Sequence, residues 1–527
     1  MVENILILGN GFDLAMGRKT SYGDFLRFLN SISFLFYCQQ VYNQQIDIKN
    51  YVFPLKEFEK ILEDSESNHG EDFQNELEFY ILIHDDKVKL GILLDFLSNY
   101  FENKKPLRAL SEDNRNFQDF NNLMHGSFRR DLLLYIRKIY EGLDKQSVIS
   151  KYLLDVEIID DLIQKTGKEY KWLLKIRDNL FLKYINENKD KLGKKWSSIE
   201  LVISDIAEAI VYIRDYSKKG DTKFGRDFFR TLRKQSVSES NFMAIKYVSD
   251  NIDKFVPEYL HILNDSGVQK AMDVCNEKFI QSLEELTDYL EFYLTYLDKL
   301  DFDSEQRIVK QDSSLDAIEG LEKAKVLTFN YTDTANRLFG IPEESTHFIH
   351  GRIDFARDKK SINTMVFGIE DKEDKEDKTE NINPDLISYQ KFYQRIIKET
   401  GSDYRKFFEK PKDSGKSVDD MNIIVFGHSV DPLDKEIFKK CFKLAEERGG
   451  KYKFIFNYYD EEAKREIVKN LTIILGKEKM ISLTAEQKVA FVKCDDVEKM
   501  RKELIKLKKW KSKLKTHQKT FMKLSFF

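Results

Sequence analysis

The stretch Ile5-Leu-Ile-Leu8-Gly9-Asn10-Gly11-Phe12-Asp13-Leu14-Ala15-Met16-Gly17 decides how the rest of the chain is read. A short, partly β-branched apolar run that ends in glycines predicts a buried strand entering a tight turn. Behind it, Tyr22, Phe25, Leu26 and Leu29 recur at helical spacing, with Thr20 or Ser21 placed to cap a helix N-terminus. The chain therefore opens as strand, glycine turn and helix.

From about Ser31 to Ile318 glycine and proline become sparse and the period changes. Ile199–Ile213 and Phe279–Leu300 carry apolar residues three and four apart, which predicts a long helical region. Strand signals return at Lys325–Phe329, His347–His350, Asn422–Phe426, Lys453–Phe456 and Val489–Lys493, with helical patterns at Asp434–Arg448 and Glu461–Leu475. Strands alternating with helices predict an α/β fold with a doubly wound parallel sheet. Its first strand would be Ile5–Leu8, so the sheet is Rossmann-like and assembled from both chain ends. The expected organisation is residues 1–30 with 320–498 as a discontinuous α/β sheet domain, 31–319 as an all-α insertion, and 499–527 as a basic helical tail.

Charge arithmetic sharpens this division. The 527 residues hold 86 Lys+Arg against 90 Asp+Glu, a formal −4, and 41% are hydrophobic. That balance excludes a wholly basic nucleic-acid coat protein and a strongly acidic disordered chain. Lys499–Lys523 alone carries eleven basic residues and one acid, a local +10, which leaves −14 on the remainder. Leu504, Leu507, Trp510 and Leu514 fall near one face of that segment, consistent with a docked basic helix or a contact with nucleic acid. Asp371–Glu380 mixes both signs without an apolar residue and reads as an exposed loop. Cys38, Cys275, Cys441 and Cys494 form no C-x-x-C pair, Met1–Leu8 lacks a basic leader, and no run approaches the roughly 18 apolar residues of a membrane span. A cytoplasmic protein without a membrane segment is expected.

Four motifs could carry chemistry. In Gly9–Gly17, residues without Cβ let main-chain N–H groups approach a phosphate closely. Thr328-Phe-Asn330-Tyr-Thr-Asp333 follows a strand, where side chains line the ligand crevice of an open α/β sheet, and an Asn there can both donate and accept. His347-Phe-Ile-His350-Gly351 places His350 at a strand end, suited to acid–base work; two histidines three apart on a strand face opposite ways, which disfavours a shared metal. In Gly427-His-Ser429-Val-Asp431-Pro-Leu-Asp434 the Asp at 431 breaks G-x-S-x-G, which argues against a serine hydrolase, and Ser429 and Asp434 suit an N-cap and first-turn acid. Gly415-Lys-Ser417 lacks the earlier glycine of a P-loop.

Together these motifs resemble the abortive-infection AbiH family of bacterial anti-phage proteins. The likeness is carried by Gly9-Asn-Gly-Phe-Asp-Leu14 with Gly17, Thr20-Ser-Tyr-Gly-Asp-Phe25, Thr328-Phe-Asn-Tyr-Thr332, His350-Gly351, and Phe426-Gly-His-Ser429 with Asp434; Trp196-Ser-Ser-Ile-Glu200 adds a further feature. That family is in turn distantly similar to the sirtuin-like NAD-binding fold of bacterial defence NAD hydrolases. The resemblance implies catalytic roles for Asn330 and His350. It implies cofactor contacts for Gly9, Asn10, Gly11, Phe12, Asp13, Thr20, Thr328, Gly427, Ser429 and Asp434, with NAD as substrate or ligand and no metal. The absence of a cysteine zinc ribbon favours cleavage of a nucleotide over protein deacylation.

The expected function is thus a phage-defence effector that hydrolyses NAD or a related nucleotide at its N-glycosidic bond. Two alternatives stay open: a nucleotide-binding sensor whose output lies in the helical region or basic tail, and a nuclease. A homo-oligomer, a phage-derived trigger and nucleic acid bound through Lys499–Lys523 are the partners such schemes would need.

Overall fold

A computed structural model of the chain describes residues 2–26, 28–29, 32, 156–166, 172, 175–192, 199–218, 239–255, 265–303, 307–357, 363–369, 383–409 and 419–505. The chain divides into two compact units. One comprises Met1–Gly17, Val309–Ile349 and Gly401–Phe527, and the other Arg18–Ile308 and His350–Thr400.

The first unit is built on six strands: β1 (Val2–Leu8), β2 (Lys325–Thr328), β3 (Thr346–Phe348), β4 (Asp420–Phe426), β5 (Tyr452–Tyr458) and β6 (Val489–Lys493). All neighbours pair in parallel, in the order β3-β2-β1-β4-β5-β6. That is the strand order of doubly wound sheets that bind dinucleotides, and it reverses direction between β1 and β4. The sheet is α/β and parallel, as the alternation of strand and helix patterns predicts.

Period-two geometry sends alternate side chains of each strand to opposite faces. Ile5, Ile7, Ile423, Val425, Phe454 and Phe456 pack on one face with Phe438, Phe442, Leu471 and Leu483, from the helices Lys435–Arg448, Glu461–Leu475 and Lys477–Ala485. Leu6, Leu8, Ile424, Phe426 and Ile455 pack on the other with Phe12, Ala335 and Met500, from the helices Asn10–Ala15, Thr334–Phe339 and Val497–Glu503. Burial on both faces explains why β1 and β4 read as continuous apolar runs rather than alternating ones. Each fully buried Leu, Ile or Phe contributes roughly 1.5–3 kcal/mol. Local signals set the helix ends: Asp460 accepts the Ala463 N–H at 2.8 Å, and Gly449 takes φ +78° after Arg448.

Register carries the consequence for function. Leu8 pairs with Thr328 on one side and with Phe426 on the other. The segments that follow β1, β2 and β4 therefore leave the sheet side by side.

The second unit is helical in its described residues, with helices Val156–Thr166, Leu180–Leu192, Ile199–Lys218, Glu239–Phe255 and the 34-residue Asp265–Asp298. Phe28 lies 4.8 Å from the Tyr293 ring and 4.9 Å from Tyr296, and Tyr184 lies 5.0 Å from Tyr247. Arg18 is buried with Asp298 at 2.5 Å and Asp301 at 2.7 Å, so its charge is matched where water is excluded. Ser21, rather than Thr20, caps the helical residues 22–26: its hydroxyl accepts the Asp24 N–H at 3.1 Å.

Three sequence expectations change. The helix after β1 begins at Asn10, with extended Gly9 as its N-cap, so the glycine turn is a single residue and Gly11 is already helical. The third strand stops at Phe348, which leaves His350 beyond it. Residues 18–30 and 350–400, expected with the sheet, belong to the helical unit. The acidic Asp371–Glu380 segment, Trp196 and residues 506–527 of the basic tail lie outside the described residues. No described helix is long and apolar enough to cross a membrane.

Candidate functional site

At the carboxyl end of β1 the chain turns so tightly that backbone meets backbone. Gly9 N–H donates to the Phe426 carbonyl at 3.1 Å, Gly11 N–H to the Gly427 carbonyl at 2.8 Å, and Phe12 N–H to the Gly9 carbonyl at 2.8 Å. A Cβ on Gly9 would stand 2.6 Å from the Gly427 oxygen, and one on Gly427 would stand 2.0 Å from the Phe12 nitrogen. Gly427 also needs φ +69°. These glycines are thus required by the close approach of the β1 and β4 turns, and three of the N–H groups in the β1 turn are committed to main-chain acceptors.

The β2 turn closes on the same place. Asn330 is buried, donates its own N–H to Thr328 Oγ1 at 3.0 Å, and donates Nδ2 to the Gly9 carbonyl at 3.1 Å. Thr332 donates its hydroxyl to the buried Asp13 carboxylate at 2.5 Å, and Thr334 donates to Thr332 at 3.2 Å. Asp13 and Thr332 stand apart in sequence, on the segments after β1 and β2, and adjacent strands bring them together.

The β4 turn supplies His428, Ser429 and Asp434. His428 Nδ1 accepts the Val430 N–H at 2.8 Å, so the ring proton sits on Nε2, which lies 3.5 Å from Asp434 Oδ2. The imidazole meets the rings of Phe329 at 4.3 Å and Phe438 at 5.0 Å. Ser429 is exposed, and its carbonyl accepts from Asn470 Nδ2 at 3.2 Å. Asp434 holds the N-cap position of Lys435–Arg448 without a side-chain capping bond, and Ser429 lies outside that cap, contrary to the capping expectation.

Of the residues singled out from the sequence, the structure gathers Gly9, Asn10, Gly11, Asp13, Thr328, Asn330, Gly427, Ser429 and Asp434 at the carboxyl ends of β1, β2 and β4. Asn10 and Ser429 have exposed side chains there. Phe12 points into the core instead, 5.7 Å from the Phe339 ring and 6.0 Å from Phe426. Thr20 and His350 belong to the helical unit. There His350 is buried and its carbonyl accepts the Val366 N–H at 2.7 Å. Gly351 turns at φ +71° where a Cβ would lie 2.0 Å from the Thr364 oxygen, so the glycine of this His-Gly pair is set by packing. In the same unit Glu200 accepts from Tyr22 and pairs with Lys391, each at 3.3 Å.

Sequence reasoning passes over Thr332, Thr334 and His428. Thr332 and His428 stand inside recognisable motifs, but nothing in one sequence tells that Thr332 reaches Asp13 or that His428 is wedged between two phenylalanines.

No curated protein and no solved structure matches the chain. A family model, described as bacteriophage abortive infection AbiH, matches residues 5–458, which run from within β1 to the end of β5 and include the turns after β1, β2 and β4. The chain belongs to the AbiH family of bacteriophage abortive-infection proteins, and its role lies in abortive-infection defence against phage.

Proposed function

We propose that the crevice at the carboxyl ends of β1, β2 and β4 binds NAD or a related nucleotide and hydrolyses its N-glycosidic bond as the output of phage defence. The observation that carries the proposal is the reversal of strand order between β1 and β4, with the turns of three sequence motifs leaving the sheet around it. Ligands of open α/β sheets bind at such a switch point.

The glycine faces are filled by neighbouring backbone, so side chains must supply the polar contacts. The exposed Asn10 and Ser429 are suited to ribose hydroxyl and diphosphate oxygens. Asn330 has committed Nδ2 to Gly9, which leaves its side-chain carbonyl to orient a ribose hydroxyl or the attacking water. The C1′–N bond breaks through an oxocarbenium-like state, nicotinamide departs with the bonding electrons, and water adds to C1′ and releases a proton. The products are nicotinamide, ADP-ribose and a proton.

A binding-only core is the second reading, and the Asn330–Gly9 bond favours it, because that bond gives Asn330 a structural role independent of catalysis. NAD measured in phage-challenged cells separates the two. Hydrolysis predicts that NAD falls with the wild-type chain and not with Asn330→Ala at equal accumulation; binding without turnover predicts an unchanged level with both.

A further inference from the structure

The turn after β4 holds two left-handed residues within four positions, Gly427 at φ +69° and Val430 at φ +55°. Glycine takes that region freely, whereas a β-branched residue there is a conformational outlier. Val430 is there nevertheless, with its side chain fully buried in the core against one face of the sheet. Strain of this kind persists only where the surroundings over-determine it, and it concentrates where ligands are held.

Three tethers over-determine this turn. His428 Nδ1 accepts the Val430 N–H at 2.8 Å. The His428 ring is fixed by Phe329 and Phe438, with Nε2 turned to Asp434. Asn470 holds the Ser429 carbonyl at 3.2 Å. Among His428, Ser429 and Val430, the two flanking side chains are buried and the Ser429 side chain alone is exposed. Such a turn uses backbone strain to hold one hydroxyl outward beside the strand-order reversal.

We infer that His428 is a positioning residue: by accepting the Val430 N–H it locks the turn in its left-handed form, which holds the Ser429 hydroxyl ready to donate to a phosphate or ribose oxygen of a nucleotide. The ligand half of this inference rests on the nucleotide reading of the crevice; the tether half does not.

The experiment follows both halves in the full-length protein with Ser429→Ala, His428→Ala and His428→Asn, the last offering a side-chain carbonyl in place of Nδ1. Hydrogen exchange of the peptide 426–434 reads the tether without ligand: protection is expected to fall in His428→Ala and to return in His428→Asn. Unchanged exchange in His428→Ala overturns the tether. Calorimetry with NAD reads the ligand half. Ser429→Ala and His428→Ala are each expected to weaken binding about fivefold or more, the contribution of one net hydrogen bond, and His428→Asn to recover it. Wild-type affinity in His428→Ala, even with a lowered melting temperature, reduces His428 to packing and overturns the positioning role. If the wild type itself binds no NAD while the exchange pattern holds, the nucleotide reading fails and the tether stands.

Discussion

Thr332 donates its hydroxyl to the Asp13 carboxylate at 2.5 Å, which ties the segment after β2 to the helix after β1. Both residues are buried, so the bond is formed out of water, where losing it leaves a carboxylate short of a donor. Thr332→Val keeps the shape and removes the hydroxyl. It is expected to cost about 1.5–3 kcal/mol, the range for hydrogen bonds to charged groups, while Thr332→Ser retains most of the stability. Denaturant titration of the two variants checks the difference; a loss in Thr332→Ser as large as that in Thr332→Val would contradict the dominance of the hydroxyl bond.

Gly427 and Gly340 share the left-handed region, at φ +69° and +67°, but differ in their surroundings. A Cβ at 427 meets the Phe12 nitrogen at 2.0 Å, whereas one at 340 meets nothing within 4 Å. Gly340→Ala is expected to cost only the left-handed penalty, roughly 1–2 kcal/mol. Gly427→Ala adds a backbone clash and should lie at or beyond the upper end of the ~0.5–3 kcal/mol typical of single substitutions. Similar melting shifts in the two variants would contradict the interlocking of the β1 and β4 turns.

His347 on β3 is buried beside Tyr404, with ring centroids 5.4 Å apart. Burial holds its imidazole below the ordinary value of 6.5, with the Asp403 charge pulling the other way. The unfolded chain therefore takes up a proton from this residue more readily than the folded chain as pH falls below about 6.5. The stability that neutral His347 contributes is fully present above that value and is lost as pH falls through the depressed folded value. Melting temperature measured from about pH 7 down to about pH 5 should fall less steeply in His347→Phe than in the wild type. Identical slopes would remove His347 from the acid response.

Much of this architecture is legible because strands buried on both faces leave continuous apolar runs. Ile5–Leu8, Asn422–Phe426, Lys453–Phe456 and Val489–Lys493 all fall within observed strands. Strand order is not legible, since pairing of Ile5 with Lys325 and Ile423 joins residues hundreds of positions apart. The helix at Asn10 is hidden for a local reason: Gly-Asn-Gly reads as a turn, and only the Gly427 backbone, 2.9 Å from where a Cβ on Gly11 would stand, shows why glycine is needed inside a helix. At the site, motif spacing locates the three turns. It does not separate Phe12, which faces the core, from Asn10, which faces solvent, because the path of the chain past Gly9 decides that.

Whether the crevice turns NAD over is read from release of free nicotinamide by the purified full-length protein, with lysate of phage-infected cells supplied as a source of trigger. Release is expected from the wild type, with a marked loss in Asn330→Ala with the fold retained. No release by a wild type that binds NAD, or undiminished release by Asn330→Ala, would contradict hydrolysis at this site.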